Sequence, residues 1–228
     1  MQVVPSSVPN LELIGPDAEG FKEAVESLLG RALDKVLEPA LPYSVIARNN
    51  GLRAVALLGI RFDMLGPQGK SYSVIHYADT LRHPEKAALT PGAMRFVCAE
   101  PLYTDLVLRR ADEVDRRGPM NLENLRKTLR ISASIDCAAF DDGQFAGPDT
   151  LGAFDRLERE REVEIAFLEE ILKPGCEVET LLRQAMEIPA RRALAKRLCE
   201  GLAADGLEGV VTVARNHRLR IALWRQAR

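Results

Sequence analysis

Apolar residues recur along this chain at two periods, and the switches between them mark its predicted elements. Phe21, Val25, Leu28, Leu29, Ala32, Leu33, Val36 and Leu37 lie three and four residues apart, which predicts a helix over 18–37. Asp17, after Pro16, is the expected cap and Pro39 the expected stop. Ahead of it, a proline-containing segment with Leu11 and Leu13 alternating predicts an extended arm that closes as a strand.

From Tyr43 the period is two. Residues 44–48 and 52–65 read as strands, and Asn49-Asn50-Gly51 between them reads as a hairpin turn. In the second strand Val55 and Leu57 share one parity while Leu58, Ile60, Phe62 and Met64 share the other. Such a strand is buried on both faces or bulges near Gly59, and either places it centrally. Gly66-Pro67-Gln68-Gly69 turns the chain into a strand over 71–77, and 94–99 is another. Residues 101–130 are mixed: Leu102, Leu106 and Leu108 fit a strand, and Leu122, Leu125 and Leu129 a short helix. A second hairpin joins 131–140 to 144–146 through Asp141-Asp142-Gly143.

After Gly147-Pro148-Asp149 the helical period returns. Phe154, Leu157, Ile165, Leu168, Ile171 and Leu172 predict one helix, 178–186 a second and 189–202 a third. Val211 and Val213, then Leu219, Ile221 and Leu223, alternate about Asn216-His217, which favours a terminal β-hairpin over a helix. The fold expected is α+β: an antiparallel β-sandwich of the immunoglobulin or fibronectin kind, preceded by one helix and followed by a helix-rich segment. Its parts are an arm and helix over 1–40, the sandwich body over 41–147 and the helical segment over 148–228. The sandwich is an architectural inference, because no Cys…Trp…Cys framework exists and the single Trp224 is near the C-terminus. Gly15-Pro16-Asp17 with Gly20 echoes Gly147-Pro148-Asp149 with Gly152, which the shared needs of a strand-to-helix corner explain without a duplication.

Composition narrows the classes. With 46% hydrophobic and 28% charged residues the chain carries enough apolar surface for a core. A net charge of −2 argues against whole-surface affinity for nucleic acid or anionic membrane. No run of about 18 apolar residues is present and residues 1–10 lack the pattern of an export signal, so a cytoplasmic chain without a membrane span is expected. A chain starting after a removed signal would read the same. Cys98, Cys137, Cys176 and Cys199 form no CxxC pair and read as mostly buried, reduced thiols, with a Cys98–Cys137 disulfide as the alternative.

Candidate chemistry is sparse. Gly66-Pro67-Gln68-Gly69-Lys70-Ser71 ends like a phosphate loop, but Met64 stands where the first glycine belongs and a strand follows instead of a helix. HExxH, GxSxG and ExxH are absent. His76 shares strand parity with Tyr72 and Val74 and is a weak catalytic candidate beside its reading as a hydrogen-bonded core residue; His83, before Pro84, reads as surface. Asp136, Asp141, Asp142 and Asp149 gather about one turn without EF-hand spacing, and turn or cap roles account for the last three. The alternating glutamates and arginines of 156–164 describe a solvated helix face. Beyond Gly209, Arg215, Arg218, Arg220, Arg225 and Arg228 flank Trp224 with no acid, the composition of a polyanion surface or of a solvated, basic edge hairpin.

By elimination the leading expectation is a non-catalytic binding or interaction module, acting on a protein partner or on a second copy of itself, with no cofactor and no metal. The alternatives are a carboxylate- or metal-dependent hydrolase built on Asp136, Asp141, Asp142 and His76, and a polyanion binder using Arg215, Arg218, Arg220, Trp224 and Arg225.

Overall fold

A computed structural model describes residues 1–30, 32, 33, 35, 37–79, 89–101, 103, 104 and 122–226, with only the backbone at 189, 190, 193 and 218–226. His83, Leu102, Leu106, Leu108 and Arg228 lie outside the described residues, as do the side chains of Arg218, Arg220, Trp224 and Arg225. The fold is mixed α+β, and the chain divides into two compact units. The first holds Met1–Asp79, Ala87–Phe140 and Ala146–Pro148; the second holds Thr80–Lys86, Asp141–Phe145 and Asp149–Arg228.

The strands are β1 (Gln2–Val3), β2 (Leu11–Ile14), β3 (Ser44–Asn49), β4 (Val55–Leu65), β5 (Ser71–Asp79), β6 (Met94–Cys98), β7 (Arg130–Phe140) and β8 (Phe145–Ala146). One sheet runs β1-β7-β4-β5 and the other β2-β3-β6. Side chains from both sheets, among them Val45, Ile46, Ile60, Phe62, Phe96 and Ile135, build one apolar core. β4 is central and buried on nearly its whole length, and its ladder with β7 shifts register between Gly59 and Ile60, so both readings of its double parity hold. A Cβ on Gly59 would meet Cys137 Sγ at 2.7 Å, which keeps that position glycine.

Three expectations for this unit need correction. The sheet is not purely antiparallel, because β1 pairs with β7 in parallel. Asn49-Asn50-Gly51 does not close a hairpin: β3 has its edges filled by β2 and β6, and β4 by β5 and β7, so the segment carries the chain from one sheet to the other. The first helix, α1 (Phe21–Leu29), is half the expected length, since Gly30 at φ 66° ends it in the left-handed region. Its N-cap is Gly20, while Asp17 approaches the Met1 amine at 3.8 Å. The short helix after the mixed stretch is α2 (Leu122–Arg126).

The second unit is helical: α3 (Ala153–Ile171), α4 (Val178–Glu187) and α5 (Pro189–Gln226). Asp149 Oδ1 accepts from the Ala153 N–H at 2.6 Å and its Oδ2 from the Phe154 N–H at 3.1 Å, capping α3 as its sequence position suggests. The expected terminal β-hairpin is a helix. Within α5, Asp205 and Gly206 leave helical geometry, Gly206 with φ 62° and ψ −146°, a region open essentially to glycine alone. The chain reverses there, so 189–204 and 207–226 lie antiparallel with Gly201 against Gly209. Val210, Ala214 and His217, at steps of four and three, form the inward line that outweighs the alternation of Val211 and Val213. Phe167, Leu168, Leu182, Leu194 and Leu198 complete this unit's core. No helix among the described residues is long and apolar enough to cross a membrane.

Candidate functional site

His76 lies on β5 opposite Ile60, on the core-facing parity of the sheet. Its Nε2 is 3.2 Å from the Ala99 carbonyl, and its ring meets Phe62 edge-on at 5.4 Å. Cys98, at the end of β6, is fully buried; its backbone N–H donates to Thr104 Oγ1 at 2.8 Å. Burial pushes its thiol up to about 11 from an ordinary value of 9.0, against a smaller opposing effect of the Ser44 hydrogen bond. Burial likewise raises the Tyr103 phenol, with Cys98 and Glu100 adding to the rise. Both groups stay protonated at neutral pH, so this cluster supplies packing rather than a nucleophile.

That arrangement has a measurable consequence. A thiol whose pKa is higher folded than unfolded leaves stability unchanged below about pH 9 and lowers it as pH rises toward 11, by up to about 3 kcal/mol. Unfolding midpoints followed across that range should therefore fall more steeply in the native chain than in Cys98→Ala; parallel curves would show that the thiol is not held neutral.

β4 stands between His76 on β5 and Asp136 on β7. Asp136 is 1% exposed and is the extra residue of the β7 bulge, since Cys137 pairs with Gly59 and Ile135 with Ile60. Gly147, at φ 111°, lies so close to the Asp136 carbonyl that an added Cβ would stand 2.5 Å from it. In the turn after β7, Asp141 is exposed and Asp142 Oδ1 accepts from the Gln144 N–H at 3.1 Å, the ordinary work of an Asx turn. Cys98 and Cys137 form no disulfide, and neither do the half-buried Cys176 and Cys199.

A different feature of the same sheet is open. The Gly66 N–H donates to the Lys70 carbonyl, which makes that facing pair hydrogen-bonded. Antiparallel ladders alternate, so Tyr72, Val74, His76 and Ala78 turn their backbone groups to β4 while Ser71, Ser73 and Ile75 turn theirs outward. Among the described residues no strand lies beyond β5. Ser71, Tyr72 and Ser73 are exposed, Tyr72 at 44%. From Ser71 to Ile75 the strand carries no charged residue and no proline, the residues that commonly guard a free edge.

No family model, curated protein or solved structure matches this chain.

In the helical unit the acidic-basic stretch is not wholly solvated. Leu157, Arg161, Glu164, Leu168 and Ile171 follow one another at steps of four and three, and Arg161 is 4% exposed. Glu164 Oε2 lies 3.1 Å from His217 Nε2, and Arg197 Nη2 lies 3.4 Å from His217 Nδ1. A guanidinium only donates, so in this arrangement Nδ1 accepts from Arg197 and Nε2–H points to Glu164. The relay ties α3 to both halves of α5. Sequence spacing carries a signal for it, because the apolar line of each helix passes through these polar positions. Arg215 is exposed. Residues 207–226 are helical, so the strand alternation expected through Arg218 and Arg220 does not hold. A shallow surface depression of about 370 Å³ at the corner between α3 and α4 is lined by Lys173, Cys176, Thr180, Leu181 and Gln184 among others.

Proposed function

We propose that this chain is a non-catalytic interaction module that offers the outer edge of β5 to an added strand. The observation that carries the reading is the unguarded run of outward backbone groups at Ser71, Ser73 and Ile75. Strand addition uses such groups for affinity and the alternating side chains for selectivity. Of the groups that favoured an enzyme, His76 is engaged at the Ala99 carbonyl and Asp142 in its own turn. The same reading takes the two sheets as layers of an immunoglobulin- or fibronectin-like sandwich. Their shared core supports this, and the parallel β1 is a departure from that pattern.

Amide hydrogen exchange tests the proposal. At low protein concentration the Ser73 and Ile75 amides should exchange far faster than those of Tyr72 and Val74, giving an alternation along one strand. Adding a peptide of the β5 sequence, or concentrating the protein, should slow the two fast amides. Uniform protection along 71–75 at dilution would mean that the edge is already covered and would end the reading.

A further inference from the structure

We propose that the partner of the β5 edge is the same edge of a second copy of this chain, paired antiparallel about a two-fold axis at Ser73. The proposal rests on the interaction reading above. Outward groups can bond only to outward groups, and within Ser71–Ile75 one register pairs these three residues with their own counterparts: Ser73 opposite Ser73, and Ser71 opposite Ile75. It forms about six ladder hydrogen bonds. On the core-facing parity it sets Tyr72 opposite Val74, an aromatic and a β-branched residue, the pairing that stabilises strands. Tyr72 is 44% exposed although Met64, its partner on β4, is buried, and Val74 of the second copy would lie over that open side.

Charge permits the match. Residues 71–75 carry no formal charge. The ions that reach Ser73, Arg61 and Asp63, are bonded to each other at 2.7 Å, with the Ser73 hydroxyl joined to both, so the axis at Ser73 brings no unpaired like charges together. A two-fold contact of this kind closes on itself and leaves neither copy with that free edge.

Sedimentation equilibrium of the full chain, from low micromolar to near-millimolar concentration, tests the pairing. A reversible monomer–dimer equilibrium is expected. Ile75→Pro removes an outward donor from each copy without touching the ladder to β4 and should weaken the dimer at least about tenfold. Ser73→Lys sets two ammonium groups face to face and should abolish the dimer at low salt, with partial recovery as salt is added. Because it keeps every backbone donor, it decides the matter should Ile75→Pro fail to fold. A monomer at every concentration, or a dimer that survives Ser73→Lys at low salt, would overturn the proposal. A monomer whose Ser73 and Ile75 amides still exchange fast, and are protected by added peptide, would overturn only the choice of partner; protected amides in a dilute monomer would overturn the interaction reading as well.

Discussion

Gly209→Ala should destabilise the helical unit by about 3 kcal/mol, opposite in sign to what helix propensity alone dictates. Gly209 is in a helix, where alanine is favoured over glycine by about 1 kcal/mol. The added methyl, however, would collide with the carbonyl of Gly201 on the antiparallel half, and its carbon would lie only 2.9 Å from the carbonyl carbon. Backbone cannot swing aside as a side chain can. The two halves of α5 would have to separate, loosening Val210 and Ala214 from Leu194 and Leu198 and stretching the Arg197–His217–Glu164 relay. Gly201→Ala meets the Gly209 carbonyl at 3.0 and 3.1 Å and the Val213 side chain at 3.1 Å, none as close as the Gly201 carbonyl lies to Gly209→Ala, and should cost less. Urea unfolding followed by far-ultraviolet circular dichroism would rank the three chains. A Gly209→Ala chain more stable than the native one would refute the close crossing.

The helical hairpin also marks where sequence reasoning reached its limit. Gly206 and Gly209 look alike as punctuation, yet one supplies a reversal that only glycine permits and the other a place for two backbones to touch. Only the partner half distinguishes them. Val211 and Val213 alternate by accident of composition, whereas the line of Val210, Ala214 and His217 carries the true period and is weakened to the eye by its histidine. Arg161 and Glu164 were hidden in the same way, as polar residues on an otherwise apolar stripe. By contrast β4, β5, β6 and β7 were legible nearly to their ends, because pleated alternation and turn residues are local signals. Which strands share a sheet is not local. The same Asn-Gly step that closes a hairpin can serve as a crossing between sheets, and only the occupied edges of β3 and β4 decide. The β5 edge, beside which no strand lies among the described residues, was illegible for that reason too: an edge is defined by what is missing beside it.

That crossing predicts the second large effect. Asn49 is fully buried; its Nδ2 donates to the Arg53 carbonyl at 2.7 Å and the Leu89 carbonyl at 2.9 Å, and its Oδ1 accepts from the Gly51 N–H at 3.0 Å. Asn49→Asp has nearly the same shape but turns the double donor into a charged acceptor facing two carbonyl oxygens. The cost expected at neutral pH is about 4 kcal/mol, above the roughly 2 kcal/mol of Asn49→Ala, which leaves the carbonyls unsatisfied but adds no charge. The excess carries a pH signature. Burial and repulsion raise the folded-state pKa of the new carboxyl above its unfolded value near 4. Its protonated form can donate to one carbonyl, so the added penalty is small below about pH 4 and grows as pH rises through the higher folded value. Thermal unfolding of both variants between mildly acidic and neutral pH reads this directly: the Asn49→Asp and Asn49→Ala chains should converge in acid and diverge toward neutrality. A constant gap would mean that the introduced carboxylate finds solvent, and that Asn49 is not the buried pin of the crossing. Since that crossing delivers the chain into β4, on which β5 is laid, loosening it should also erase the alternation of amide exchange between Tyr72 and Val74 and their outward neighbours.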